Sequence, residues 1–291
     1  MLDRPAAIRI CFHWLYGACL GLLLLGATAA AQEAVTEAAN PAADDDKLQA
    51  RLHAALAAAN PDYQNGGKFV VREGRLTAIH LLQQPGLVDL SPLKKFDLSA
   101  VTSVSLYRAT NVSDLSPLKG CPLTTLNLER CGKIQDLSPL KGMPLTWFRM
   151  YACPGVGDLS PLKGMPLEHL DIGLNDQIDD LSPLARMPLH DLRLDSCPQV
   201  TDIGVLRGMP LDFLSLFACP AIQDYSPLAE LPLETLYFTP SLLSPAEIQQ
   251  VEAIATLKKI GTSWDDYKKE LAPAAFWQAY RQGKFRTPAS K

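Results

Sequence analysis

The sequence predicts an α/β solenoid, and three observations predict it. The phrase DLSPL stands at Asp114, Asp136, Asp158 and Asp180, with variants beginning at Asp202 and Asp224, always 22 residues apart. Ahead of each phrase a short stretch alternates, as where Leu126 and Leu128 interleave with Thr125, Asn127 and Glu129. Behind it come residues that stop a helix within a turn, as Gly142, Met143 and Pro144 do. A period of roughly 20 to 29 residues means one strand and one return arc per repeat, stacked because no single repeat buries its own apolar side. Residues 123–144 read LTTLNLERCGKIQDLSPLKGMP and residues 145–166 read LTWFRMYACPGVGDLSPLKGMP, with no slip of register.

From the amino terminus, Arg4 and Arg9 precede an apolar run over residues 15–25 and then Gly26-Ala27-Thr28-Ala29-Ala30-Ala31. This is the pattern of a secretory signal over residues 1–31, cut after Ala29 or Ala31; an uncut signal anchor is the alternative. Residues 32–46, with Pro41 and the Asp44-Asp45-Asp46 run, read as a disordered acidic linker. Residues 47–75 are expected to cap the solenoid. Leu48, Leu52 and Leu56 mark a helix that Asn60-Pro61 ends at residue 59, and Phe69-Val70-Val71 with Glu73-Gly74 opens a hairpin.

The repeat domain spans residues 76–241. Its eight strands carry the inward pairs Ile79/Leu81, Val104/Leu106, Leu126/Leu128, Phe148/Met150, Leu170/Ile172, Leu192/Leu194, Leu214/Leu216 and Leu236/Phe238. At ~4.8 Å per rung the parallel sheet is roughly 35 Å long. The Ser-Pro of each arc suits the start of a single 3₁₀-like turn, the serine capping it and the proline at its first position. Asp89 to Asp114 is 25 residues, so the first arc carries a three-residue insertion around residues 96–100. Residues 242–291 form a C-terminal helical cap: Ser244-Pro245-Ala246-Glu247 starts a helix over residues 248–257, residues 258–262 make a last short rung, and Trp264, Tyr267, Leu271, Phe276, Trp277 and Tyr280 close the end.

The 22-residue period with DLSPL in its arc resembles the leucine-rich repeats of bacterial internalin-type surface proteins. It is also similar to the DLSPLKGMPL arrays of extracytoplasmic proteins and kinase sensor regions of planctomycete-like bacteria. The resemblance covers residues 76–241 and implies a leucine-rich-repeat horseshoe with a concave parallel sheet, in a protein of the periplasm, cell surface or exterior. Repeats such as DSCPQVTDIGVL, from Asp195, are similar to those of eukaryotic F-box adaptors in repeat geometry alone.

Composition excludes several classes. The chain is 47% hydrophobic and 20% charged with a formal net charge of −4, so it is neither a disordered polymer nor a basic nucleic-acid-tracking surface. Loss of residues 1–31, which hold Asp3, Arg4 and Arg9, leaves −5. Cys131, Cys153, Cys197 and Cys219 share one 22-residue lattice with Asn175, while Cys121 stands apart. Lattice points form a line along the solenoid, so they read as a buried ladder of free thiols and not as a metal site or adjacent-rung disulfides. No phosphate loop, nucleophile elbow or HExxH is present, and no cofactor or metal is expected. Of the five histidines only His169, beside Asp171, Asp191 and Asp195, stands where acid–base chemistry is conceivable, and an open sheet offers it no cleft.

The outward strand positions form three columns. The first runs Ser103, Thr125, Trp147, His169, Asp191, Phe213, Thr235; the second Ser105, Asn127, Arg149, Asp171, Arg193, Ser215, Tyr237; the third Tyr107, Glu129, Tyr151, Gly173, Asp195, Phe217. Aromatics and arginines facing out of a rigid sheet are the composition of a binding hot spot. The competing reading is that they stack on one another while Arg149, Asp171 and Arg193 satisfy themselves across rungs. The sequence favours a non-catalytic extracytoplasmic scaffold that binds a protein or peptide through Tyr107, Glu129, Trp147, Arg149, Tyr151, His169, Asp171, Asp191, Arg193, Asp195, Phe213, Phe217 and Tyr237. A structural cell-envelope component or a glycan binder is the alternative. Nucleic acid is not expected as a partner, and membrane only through an uncut anchor.

Overall fold

The structure is a computed structural model that describes residues 41–262 and 271–285. Helix α1 (Pro41–Ala59) leads into β1 (Lys68–Arg72) and β2 (Arg75–His80). The rungs follow as β3 (Ser103–Ser105), β4 (Thr125–Asn127), β5 (Trp147–Arg149), β6 (His169–Asp171), β7 (Asp191–Arg193), β8 (Phe213–Leu216) and β9 (Thr235–Phe238). Helix α2 (Pro245–Glu252), β10 (Lys259–Gly261) and α3 (Pro273–Arg281) complete the order. The strands form one open ten-stranded sheet in chain order. β1 and β2 pair antiparallel, and every later pair is parallel. The chain is thus a leucine-rich-repeat solenoid, with the eight expected repeat strands extended by a hairpin strand and a terminal rung.

Register is flush: Ser103, Thr125, Trp147, His169, Asp191, Phe213 and Thr235 stand in line from β3 to β9. The inward residues Val104, Leu126, Phe148, Leu170, Leu192, Leu214 and Leu236 are at most 1% exposed, and they join one continuous core from α1 to α3.

Each arc is a 3₁₀ turn, but its serine does not cap it. The aspartate two residues earlier does the holding: Asp136 Oδ1 accepts the Ser138 N–H at 2.7 Å and Oδ2 accepts the Ser138 hydroxyl at 2.8 Å. Asp89, Asp114, Asp158, Asp180 and Asp224 repeat the clamp. At Asp202 a glycine replaces the serine and the backbone bond alone remains. The backbone N–H first, then the hydroxyl, hold the carboxyls of Asp114, Asp180 and Asp224 below their ordinary value.

The ladder cysteines work as read from their spacing, with a further regularity. Each reaches back one rung to a strand-exit carbonyl: Cys131 Sγ to Leu106 O (3.0 Å), Cys153 to Leu128 O (3.0 Å), Cys197 to Ile172 O (3.2 Å) and Cys219 to Leu194 O (2.9 Å). Asn175 occupies the middle point of the five and does more. Its Nδ2 donates to Met150 O and Ile172 O, and its Oδ1 accepts the Cys153 N–H. Burial pushes the thiols of Cys131 and Cys197 up to about 12 and those of Cys153 and Cys219 up to about 11. All five cysteines among the described residues are unbridged.

Immediately before each ladder point the backbone turns left-handed. Arg108, Arg130, Ala152, Leu174, Ser196 and Ala218 have φ between 54° and 60°, and none is glycine. This conformation costs an L-residue about 1–2 kcal/mol. In return, the N–H of Arg108, Arg130, Ala152, Leu174 and Ser196 each reaches the next rung's carbonyl at 2.7–2.9 Å and extends the ladder beyond the strand.

Both ends are covered. Helix α1 begins six residues before position 47, so the acidic run Asp44 to Asp46 belongs to its first turns and not to the linker. Carboxylates are favoured at a helix N-terminus. Leu52 and Leu56 are fully buried. Asn60, read from sequence only as the helix stop, also fastens the cap to the first rung. Its side chain donates to Leu56 O and Asp89 O at 2.9 Å and accepts the N–H of Val88 and Asp89 at 2.8 Å. At the other end α2 has a reciprocal capping box between Ser244 and Glu247, and it stops at Glu252, five residues short of the expected 257. Phe276 and Trp277 from α3 pack on Phe238. The signal, most of the linker, Trp264 and Tyr267 lie outside the described residues.

Candidate functional site

The outward sheet face carries the candidate site because alternation sends these side chains away from the core. Trp147, Arg149, Tyr151, Asp191, Arg193, Phe213 and Phe217 are half-buried there and His169 is exposed. With Leu170, Phe148 and Asp171 at its base, a hollow of ≈240 Å³ opens between Trp147, Arg149, His169, Asp191 and Arg193.

Charges on this face are paired across and along the rungs. Arg193 holds Asp191 through two parallel bonds, Nε to Oδ1 at 2.9 Å and Nη2 to Oδ2 at 2.8 Å. Arg149 Nε lies 3.2 Å from Glu129 Oε2 and 3.0 Å from Asp171 Oδ2, yet neither oxygen meets the N–H squarely enough to hydrogen-bond it. The guanidinium groups also lie on rings, Arg149 at 5.7 Å from Tyr151 and Arg193 at 4.7 Å from Phe213. Arg108 covers Tyr107 likewise at 5.7 Å.

Three expected binding residues are not exposed. Tyr237 is fully buried because β10 adds a rung beyond it: its ring lies over Gly261, where a β-carbon would come within 2.3 Å of it, and stands 5.6 Å from Phe213. Asp195 is 2% exposed and bonded to the Ser215 hydroxyl. Asp171 is 8% exposed, and its Oδ1 accepts the Gly173 N–H at 3.2 Å. Burial, the largest influence, raises the Asp171 carboxyl to about 6 against the opposing pull of that bond, Arg149 and Arg193. Tyr151 also leans inward, over Gly173, whose missing side chain leaves the room.

One row escaped the sequence reading. Glu168, His190, Asp212 and Glu234 are exposed where the strands begin, and His190 Nδ1 stands 3.5 Å from Asp212 Oδ2. They recur on the same 22-residue lattice, one place ahead of the first column, which is the signal that would have found them. His169 Nδ1 lies 3.9 Å from Asp191 Oδ2, but Arg193 already occupies that carboxylate on both oxygens. No serine, threonine or cysteine lines the hollow. Among the described residues no three His, Cys, Asp or Glu side chains gather to hold a metal, and no helix is long and apolar enough to cross a membrane.

Repeat length, flush parallel rungs and 3₁₀ arcs define the class as a leucine-rich-repeat solenoid, and one solved structure agrees in fold. The internalin InlF of Listeria monocytogenes is similar over 78% of this chain and 66% of its own, with 22% identity and a TM-score of 0.55. Internalin C2 of the same organism aligns over 65% of this chain and 92% of its own at 24% identity, TM-score 0.47. The chain therefore spans about two thirds of the InlF structure. No family model matches the sequence, and no curated protein does.

Proposed function

We propose that the protein is a non-catalytic, extracytoplasmic recognition scaffold that holds a protein or peptide against its concave sheet face. The observation that carries this reading is the hollow beside Trp147, on a flush sheet whose core lies on the opposite side. A half-buried tryptophan at the edge of a recess with arginines beside it is the composition from which interface hot spots are made. The flush rungs fix these groups in advance, so little ordering cost falls on binding. The amino-terminal signal pattern supports work outside the cytoplasm, where the internalin-type resemblance also points.

A second reading, a structural envelope component, draws on the ion pairs of Glu129, Arg149, Asp171, Asp191 and Arg193, which balance charge along the face without a ligand. The double variant Trp147→Ser/Phe217→Ser separates the two. Tyr151 and Phe213 are left alone because their rings already serve Gly173, Arg193 and Tyr237. Crosslinking from a photoreactive residue at position 169 in an envelope extract is expected to yield discrete adducts, lost in the double variant while its melting curve stays close to the parent's. Adducts unchanged by the double variant, or none from the parent, would refute the concave-face reading.

A further inference from the structure

The concave face is electrically lopsided. Between β5 and β8 the strands and their flanks, residues 146–152, 168–174, 190–196 and 212–218, carry five carboxylates: Glu168, Asp171, Asp191, Asp195 and Asp212. Against them stand two guanidinium groups, Arg149 and Arg193, and no lysine. On the two preceding rungs the balance reverses, with Arg108 and Arg130 against Glu129. Both guanidinium groups at the hollow are engaged, Arg193 by Asp191 and the Phe213 ring, Arg149 between Glu129 and Asp171 and on Tyr151. An incoming anion would compete with the carboxylates that already stand against both groups. An incoming cation meets the surplus negative charge and the half-exposed indole of Trp147, which attracts cations through its ring face.

We propose that the occupant of this face is a basic peptide segment of a partner protein, with one lysine or arginine side chain seated in the hollow beside Trp147 and its neighbours along the acidic row of Glu168 and Asp212. The inference rests on the concave-face reading and adds to it the charge class of the partner. The hollow, at ≈240 Å³, admits a single long side chain and no folded element. Glu168 and Asp212 are exposed and take no part in the core, so they act on the approach of a charged segment without holding the fold.

Three short labelled peptides of identical leucine and glycine content, carrying lysines, glutamates or serines at the remaining positions, test this by fluorescence anisotropy on the full chain. The lysine peptide is expected to bind at least about tenfold more tightly than the other two at low salt, and to weaken as salt is raised. Glu168→Lys/Asp212→Lys is expected to abolish that preference, and Trp147→Ser to weaken lysine-peptide binding about tenfold, each with an unchanged circular dichroism spectrum. Equal or tighter binding of the serine or glutamate peptide overturns the charge assignment while leaving the concave-face reading standing. A lysine preference that survives both variants places the attraction elsewhere on the chain and overturns this site. Binding by none of the three overturns the basic-peptide assignment, and the crosslinking experiment then judges the concave-face reading separately.

Discussion

Replacing Asp171 by asparagine is expected to stabilise the protein, although Asp171 forms an ion pair. The carboxyl is raised from an ordinary 3.8 to about 6, which means that burial outweighs the attraction of Arg149 and Arg193 and the bond from Gly173. A shift of about 2 units at ~1.36 kcal/mol each makes the ionised form roughly 3 kcal/mol costlier in the folded chain than in the unfolded one. The sign follows from proton binding. Between pH 3.8 and about 6 the folded state holds more protons than the unfolded, so this group's contribution is most favourable at the acid end and declines as pH rises. Asparagine keeps the oxygen that Gly173 N–H needs and carries no charge, and Arg149 retains Glu129 at 3.2 Å. Urea unfolding of parent and variant from pH 4 to pH 8 should give equal stabilities near pH 4 and a gap opening through pH 6, up to ~3 kcal/mol in favour of the variant at pH 8. A variant less stable than the parent at pH 8 would refute the reasoning, because the pair with Arg149 would then outweigh the burial cost.

Leu170→Ala removes a side chain 1% exposed between Phe148 and Leu192 and should cost about 2–5 kcal/mol in urea unfolding, whereas Thr125→Ala, outward on the same sheet, should cost far less. Equal costs would contradict the strand register. Cys121 holds the place that Met143, Met165, Met187 and Met209 fill in later rungs, and a hollow of ≈340 Å³ opens beside it. Cys121→Met should therefore raise stability by about 1 kcal/mol, read as a higher melting midpoint; a lower midpoint would show that the site is already full. Arg186, at φ 62°, stands where Gly120, Gly142, Gly164 and Gly208 take φ of 72° to 82°. Arg186→Gly should gain roughly 0.5–1 kcal/mol, the relief of left-handed strain less the entropy of a freer unfolded chain, and a loss in urea unfolding would count against it.

The solenoid was legible because repetition multiplies a weak signal. One LTTLNL stretch is ambiguous, but eight in register leave the inward and outward sets beyond dispute. The asparagine and cysteine lattice was legible for the same reason. What sequence missed lies where one rung acts on the next. Tyr237 sits in an outward column like Arg149, but its fate depended on Gly261, a residue of the cap and not of the repeat. Asp171 and Asp195 occupy outward positions too, yet Tyr151 leaning over Gly173 and the long side chains around them shut out the solvent. Alternation states which side of a sheet a residue takes; the size of its neighbours states whether water reaches it. The clamp by the arc aspartates was in plain view as a repeated Asp-x-Ser, but the serine's own capping preference drew attention from the acid that holds it.

The thiol ladder has a consequence for the lifetime of the molecule. Thiols held up to about 11 and 12 are almost wholly protonated, hence nearly inert towards oxidants and alkylating agents while the chain is folded. Unfolding returns them to ordinary reactivity, and in an oxidising medium mispaired cysteines then trap the open chain. Persistence is set in that case by how often rungs open and not by the depth of the folded well. A solenoid opens from its ends, where a rung has a neighbour on one side alone. Fraying from the carboxyl end bares Cys219 before Cys197, and fraying from the amino end bares Cys121 before Cys131. The order in which the thiols become reactive therefore records the direction in which the array unzips.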